Sequence, residues 1–195
     1  MGKEKTICLL LADLTALAVD AMVNPANESL LPSSGLCSVM HKKGGAELTV
    51  ACQALFRQQR TRPVGSAIPT TAGCLPARYV IHAVGPKWHE HQTDPATPLR
   101  DTWRNILHCA DSLRIQTLSV PAISTGMHKY PKELAAQIAL ETLADELSRC
   151  SFVRRVLLVS SDVETAIAYR VVAGRLGLTS FEWVDLMPLD LQADV

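Results

Sequence analysis

Apolar residues along this chain fall into two patterns: short solid runs, and longer stretches in which they recur every three or four positions. Thr6–Leu11 (TICLLL) and residues 19–23 (VDAMV) are solid runs ending at polar turns, which predicts two short buried strands. Residues 66–71, 78–84, 117–120 and 153–159 read as further strands, the second of these stopped by Gly85-Pro86 after residue 84. A helix is expected to start at Leu36 and a second to cover 46–58, where Leu48, Ala51, Cys52 and Leu55 share a face. Residues 99–113, the stretch from Pro131 through Leu147, and Val163–Leu176 complete the helical segments, with Pro131 suited to a first helical turn. Strands alternating with helices of this length predict an α/β fold whose sheet is covered on both faces. FEWVDLM at 181–187 is compatible with an edge strand and LDLQADV at 189–195 with a frayed tail, so 1–178 is read as the domain and 179–195 as an extension.

Composition narrows the function classes. With 48% apolar residues in 195, the chain can bury a sizeable core. Lys plus Arg balances Asp plus Glu, so no overall field attracts nucleic acid or an anionic membrane, and Arg57, Arg60 and Arg62 read as a solvated face. Backbone amides can still hold a small anion without net charge. The apolar amino-terminal run is broken by Asp13 and Asp20, too early for a membrane span and without a cleavage region, which predicts a cytoplasmic protein. The six cysteines stand apart at 8, 37, 52, 74, 109 and 150, with no CxxC or HExxH, so neither a metal, a disulfide framework nor a cofactor is expected.

Two loops leave the carboxyl ends of predicted strands, where ligands gather in sheets of this kind. One runs from Asn24 to Gly35, the other from Ser124 to Tyr130. Ser124-Thr125-Gly126 offers hydroxyls, successive amides and a close backbone approach to phosphate oxygens, and a helix beginning near Pro131 would add its positive end. His128 and Tyr130 could cover a sugar ring. Asn24 and Asn27 could hold ribose hydroxyls or a water, or simply satisfy backbone groups of a turn. GxxxxGK[ST], GxGxxG and GxSxG are all absent, against a P-loop NTPase, a dinucleotide dehydrogenase and an α/β-hydrolase.

Taken together, ADLT at 12–15, VDAMVNPAN at 19–27, a turn leading to His41 and Gly44-Gly45, LPARYVIHAVGP at 75–86 and VPAISTGMHKYP at 120–131 resemble the macrodomain family. The blocks keep that family's order over almost the whole chain and are most similar to stand-alone microbial members and mono-ADP-ribosyl hydrolases. The resemblance implies a three-layer α/β/α fold with a mixed central sheet of six or seven strands. It also implies a cleft for ADP-ribose, or for a protein or metabolite carrying it. Asp13 would accept from the adenine amino group with Leu14 beside the base. Asn27 would contact the distal ribose, and Asn24 would brace its loop. Gly35 and Leu36 would lie against the diphosphate, Ser124, Thr125, Gly126, Met127 and His128 would supply groups from the other side, and Tyr130 would support that loop. Capping of a turn is the alternative for Asp13.

The chain departs from the family at the catalytic loop. Pro32, Ser33 and Ser34 replace glycines, and Cys37 holds the position of an aspartate that orients or deprotonates water. A thiol near its reference pKa of about 8.5 is mostly neutral at pH 7 and a poor substitute. Cys37 and His41, four residues apart, could form a nucleophile pair, although a packed cysteine and a capping or solvated histidine are favoured. Lys129 stands where relatives have glycine, and Ser161 where they place an aromatic against adenine. Binding of ADP-ribose without turnover is the leading expectation. The alternatives are hydrolysis of ADP-ribosyl esters or O-acetyl-ADP-ribose, by a water held between Asn27 and a phosphate, and a drifted pocket serving another ligand or a protein.

Overall fold

The computed structural model describes residues 5–90, 93–178 and 181–184. Its strands are β1 (Thr6–Leu11), β2 (Val19–Ala26), β3 (Ala67–Thr71), β4 (Ala77–Val84), β5 (Thr117–Pro121), β6 (Arg155–Ser160) and β7 (Phe181–Val184). The helices are α1 (Gly35–Gln58), α2 (Ala96–Ser112), α3 (Lys132–Leu147) and α4 (Val163–Leu176). One seven-stranded sheet runs in the order β3-β4-β2-β5-β6-β1-β7. β3 pairs antiparallel with β4, and the remaining pairs are parallel, so the sheet is mixed.

The solid apolar runs are explained by burial on both faces. In β1, Ile7 and Leu9 join the core beneath α2, α3 and α4, while Cys8 and Leu10 join the core beneath α1. α2 contributes Trp103, Ile106 and Leu107 to the first core, all at most 1% exposed. Burying each of these side chains contributes about 1.5–3 kcal/mol. Met40, Leu48 and Cys52 of α1 close the second. The result is a three-layer α/β/α molecule.

Two local expectations change and a third is met. β2 does not stop at Val23 but continues through Asn24, Pro25 and Ala26, paired with His82, Ala83 and Val84 of β4. Its pairing with β5 ends at Met22, which leaves the last residues of β2 in the edge-like setting where proline is tolerated. The two expected helices around 36 and 46–58 meet as halves of α1 at a kink, where Gly45 has φ 74°. The carbonyl of Gly44 accepts from the Cys74 amide at 3.0 Å, so the kink docks on the β3–β4 turn. Finally, the edge strand foreseen in FEWVDLM is β7, parallel to β1, and the sheet thus continues past residue 178. The expected tail at 189–195 lies outside the described residues.

Among the described residues, no helix is long and apolar enough to cross a membrane, and no three His, Cys, Asp or Glu side chains converge as metal ligands. All six cysteines are free thiols.

Candidate functional site

Strand order dictates where a ligand can lie. β5 sits between β2 and β6, with β4 beyond the one and β1 beyond the other, all running the same way. Their carboxyl ends therefore form one shelf, and over it opens a cleft of about 910 Å³. At one end lie Asp13 and Leu14 after β1 with Ser161 and Asp162 after β6; at the other lie Asn27 after β2 with Gly85 and Lys87 after β4. The Ser124–His128 loop after β5 stands between them. Volume and elongation suit a ligand of dinucleotide size.

The β5 loop is a closed bend. The Tyr130 amide donates to the Ser124 carbonyl at 3.0 Å, the Lys129 amide to the Gly126 carbonyl at 3.0 Å, and the Thr125 hydroxyl to the Ala122 carbonyl at 2.9 Å. Among the described residues, the amides of Gly126, Met127 and His128 have no protein acceptor, the condition for a backbone cradle around anionic oxygens. Ser124 and Lys129 hold φ of 68° and 57°, a region that favours glycine, so the bend is kept at some cost. Across the cleft, Ser33, Ser34, Gly35 and Leu36 bring the amino end of α1. The positive helix end comes from α1, not from α3, which begins at Lys132 and does not line the cleft. Pro32 does not line it either.

The two asparagines separate. Asn24, expected in the loop, is a wholly buried strand residue. Its amide nitrogen lies 3.0 Å from His82 Nδ1 and 3.6 Å from Cys37 Sγ. It ties β2 to β4 and to α1 from beneath, without lining the cleft. Asn27 does line it. Its oxygen accepts from the amide and hydroxyl of Ser29, at 2.9 and 2.6 Å, and its nitrogen donates to the Leu31 carbonyl at 3.1 Å. Asn27 thus braces the turn and still has one N–H to offer, but its oxygen's two lone pairs are taken. It can hold a ligand oxygen or a water; it cannot take a proton.

Cys37 sits in the first turn of α1, 2% exposed, and does not line the cleft. Burial pushes the thiol up, but hydrogen bonds from His41, Ser33 and Asn24 outweigh that and hold it below the ordinary thiol range. His41 is buried rather than solvated, 3.4 Å from the Thr49 hydroxyl. Helical spacing does bring Cys37 and His41 together, but beneath the surface that a substrate would touch. Tyr130 is likewise behind the loop instead of over a sugar. It is 2% exposed, donates to the Pro95 carbonyl at 2.6 Å and stands edge-on to Trp88 at 5.0 Å.

At the β1 end, Asp13 does both things considered for it. Its carboxylate caps the short turn Leu14–Ala16 through the Thr15 amide at 2.9 Å, pairs with Lys43 at 2.8 Å, and still faces the cleft beside Leu14. Desolvation opposes its charge, but Lys43 and Thr15 more than compensate and keep it below the usual carboxylate range. No Phe, Tyr or Trp lines the cleft among the described residues. Lys87 and Gly85 were missed from sequence: the rule that placed ligands at strand ends applies equally to β4, but only the structure shows β4 parallel to β2. Gly85 touches the β5 loop so closely that a Cβ there would stand 2.4 Å from Ser124 Oγ.

Comparison with known proteins agrees with this arrangement. An O-acetyl-ADP-ribose deacetylase of Klebsiella pneumoniae (strain 342) is 44% identical over 162 residues, 83% of this chain and 93% of that protein. A macro domain-containing protein of Acinetobacter sp. (strain ED45-25) is 38% identical over 172 residues, 88% of this chain and 94% of its own length. Among solved structures, the Oceanobacillus iheyensis macrodomain with ADP superposes with TM-score 0.82 at 31% identity, over 86% of this chain and 90% of that one. The Trypanosoma brucei macrodomain in complex with ADP-ribose gives TM-score 0.74 at 26% identity, over 87% and 69%. The profile of the Macro domain matches residues 23–139, which include the second half of β2, all of α1 and the whole β5 loop. With sheet order, cleft and sequence in agreement, the chain belongs to the Macro domain family.

Proposed function

We propose that this chain binds ADP-ribose across the cleft and hydrolyses the ester of O-acetyl-ADP-ribose. The supporting observation is the central clasp: unpaired amides of Gly126, Met127 and His128 on one side and the amino end of α1 on the other, at the middle of a cleft long enough for a base at one end and a sugar at the other. A diphosphate fits the middle, adenine the Asp13–Leu14 end, and the distal ribose the Asn27 end. The deacetylase relatives move the reading from binding alone, the leading expectation from sequence, toward hydrolysis. Asn27 would position water or a ribose hydroxyl through its spare N–H, and the helix end and loop amides would stabilise charge on the ligand.

Two assays test this. Calorimetric titration with ADP-ribose is expected to show one site, weakened by Asn27→Ala. Incubation with O-acetyl-ADP-ribose is expected to release acetate. Binding without release would favour the second reading, a module that recognises free or protein-linked ADP-ribose, for which the buried Cys37 speaks. No heat and no release would leave a cleft serving some other ligand.

A further inference from the structure

Hydrolysis needs a group that takes a proton from water, and neither residue assigned to that wall can do it: the Asn27 oxygen is saturated and Cys37 is buried out of reach. The opposite wall of the same end carries an imidazole. His128 lines the cleft, half-buried, alongside Gly85 and Lys87. Its carbonyl accepts from the Trp88 amide at 2.9 Å, which fastens it to the segment after β4. The backbone of Pro86 and Gly85 lies close enough to influence its ring, and a neutral imidazole keeps one ring nitrogen as an acceptor in either tautomer.

We propose that His128, which lines the cleft beside Lys87, is the general base of ester hydrolysis in this chain. The inference rests on the hydrolase reading above. The free ring nitrogen takes a proton from water as the water oxygen bonds to the acyl carbonyl carbon and the carbonyl electron pair moves to its oxygen. When the tetrahedral species collapses, the bond from that carbon to the ribose oxygen breaks, and the imidazolium returns its proton to the ribose oxygen. Acetic acid and ADP-ribose leave, and His128 is neutral again.

The surroundings favour the neutral ring. Burial holds the His128 pKa down and the Lys87 ammonium adds to it; the Pro86 and Gly85 carbonyls and the Glu90 carboxylate pull the other way, and the net position is below the ordinary histidine range. Lys87 is itself paired with Glu90 at 2.7 Å and feels Glu28. The base form is therefore the resting form at neutral pH, and activity is lost as pH falls through the lowered pKa.

The test is the pH profile of kcat for acetate release by the full chain and two variants, with ADP-ribose affinity measured alongside. His128→Phe keeps a ring without a base. It is expected to lose kcat by about 10²-fold or more while ADP-ribose affinity changes only a few-fold. Lys87→Met is expected to move the acidic limb of the profile to higher pH. Undiminished kcat in His128→Phe, or an acidic limb unmoved by Lys87→Met, would overturn the assignment while leaving the hydrolase reading intact. Absence of acetate release by the unaltered chain, with ADP-ribose still bound, would overturn both.

Discussion

Gly85 is the most closely packed of the glycines lining the cleft, and adding one methyl group there tests how the β5 loop is held. An alanine Cβ would stand 2.4 Å from Ser124 Oγ and 2.7 Å from Ile123 Cγ2, both under the 3.0 Å that such atoms respect. Ile123 is 1% exposed in the core and cannot yield, whereas the Ser124 hydroxyl is a single rotatable atom with no protein partner. Overpacking of this kind costs about 1–3 kcal/mol, and two contacts, one of them soft, put Gly85→Ala near about 2 kcal/mol. Ser124→Gly removes the soft contact and also relieves the backbone at φ 68°. In the double variant the clash with Ile123 remains, so about 1 kcal/mol of the loss should be recovered beyond additivity. Urea unfolding of the four proteins measures the cycle, and calorimetry with ADP-ribose reads the consequence, an affinity at least about tenfold weaker in Gly85→Ala because the loop amides have moved. A Gly85→Ala protein within about 0.5 kcal/mol of the parent, with undiminished affinity, would refute the close packing that holds this clasp.

Other predictions address the neighbouring parts. Lys129→Gly, at φ 57°, should raise the thermal midpoint, with a net gain of about 0.5 kcal/mol after the entropy cost of glycine; a lower midpoint would show that the Lys129 side chain stabilises the bend. Asp13→Ala should cost about 1 kcal/mol of stability through the lost cap and also weaken ADP-ribose binding, whereas loss of stability alone in denaturation and calorimetry would restrict Asp13 to capping. His82 is wholly buried and pushed down to about 3, by burial first and then by His41. The unfolded chain therefore binds a proton that the folded one refuses, and stability should fall as pH drops from about 6.5 toward 3, by at most about 1.4 kcal/mol per pH unit from this residue. His82→Gln should flatten that acid limb in denaturant titrations between pH 4 and pH 6.5, and an unchanged limb would place the acid sensitivity elsewhere.

What could be read from sequence follows the range of the forces involved. Period and punctuation are local, so Thr6–Leu11 and Val163–Leu176 emerge with the bounds the structure gives them. Pairing is not local. Asn24-Pro25 has the composition of a turn, and only β4 alongside makes it strand; the same pairing buries Asn24 against His82 and removes it from the cleft. The choice of helix end also depends on packing: Pro131 marks a helix start correctly, yet the amino end that faces the cleft belongs to α1, whose own start carries no comparable proline signal. Gly85 reads as a strand stop, and Lys87 gives no signal of its own, until β4 proves parallel to β2, which brings both to the shelf.

Position 37, where the family resemblance implies an aspartate, illustrates how packing sorts a side chain. A side chain in the first turn of α1 has two environments within reach, the cleft above and the polar cluster of Asn24 and His41 below. A carboxylate held below would be costly to bury unless those neighbours paired with it. A thiol is small, pays little to be enclosed, and gains hydrogen bonds there, so Cys37 goes down and closes the gap between α1 and β2. That leaves the α1 wall with backbone amides, Ser33 and Ser34 and the spare N–H of Asn27, none of them a base at neutral pH. Donors stabilise an anion but cannot accept a proton, so any proton acceptor for hydrolysis has to come from the facing wall. The facing wall at that end offers an imidazole whose environment keeps it neutral. On this proposal α1 and the loop amides would hold the charged ligand from the two sides of the cleft, and His128, fastened to the segment after β4, would govern the proton.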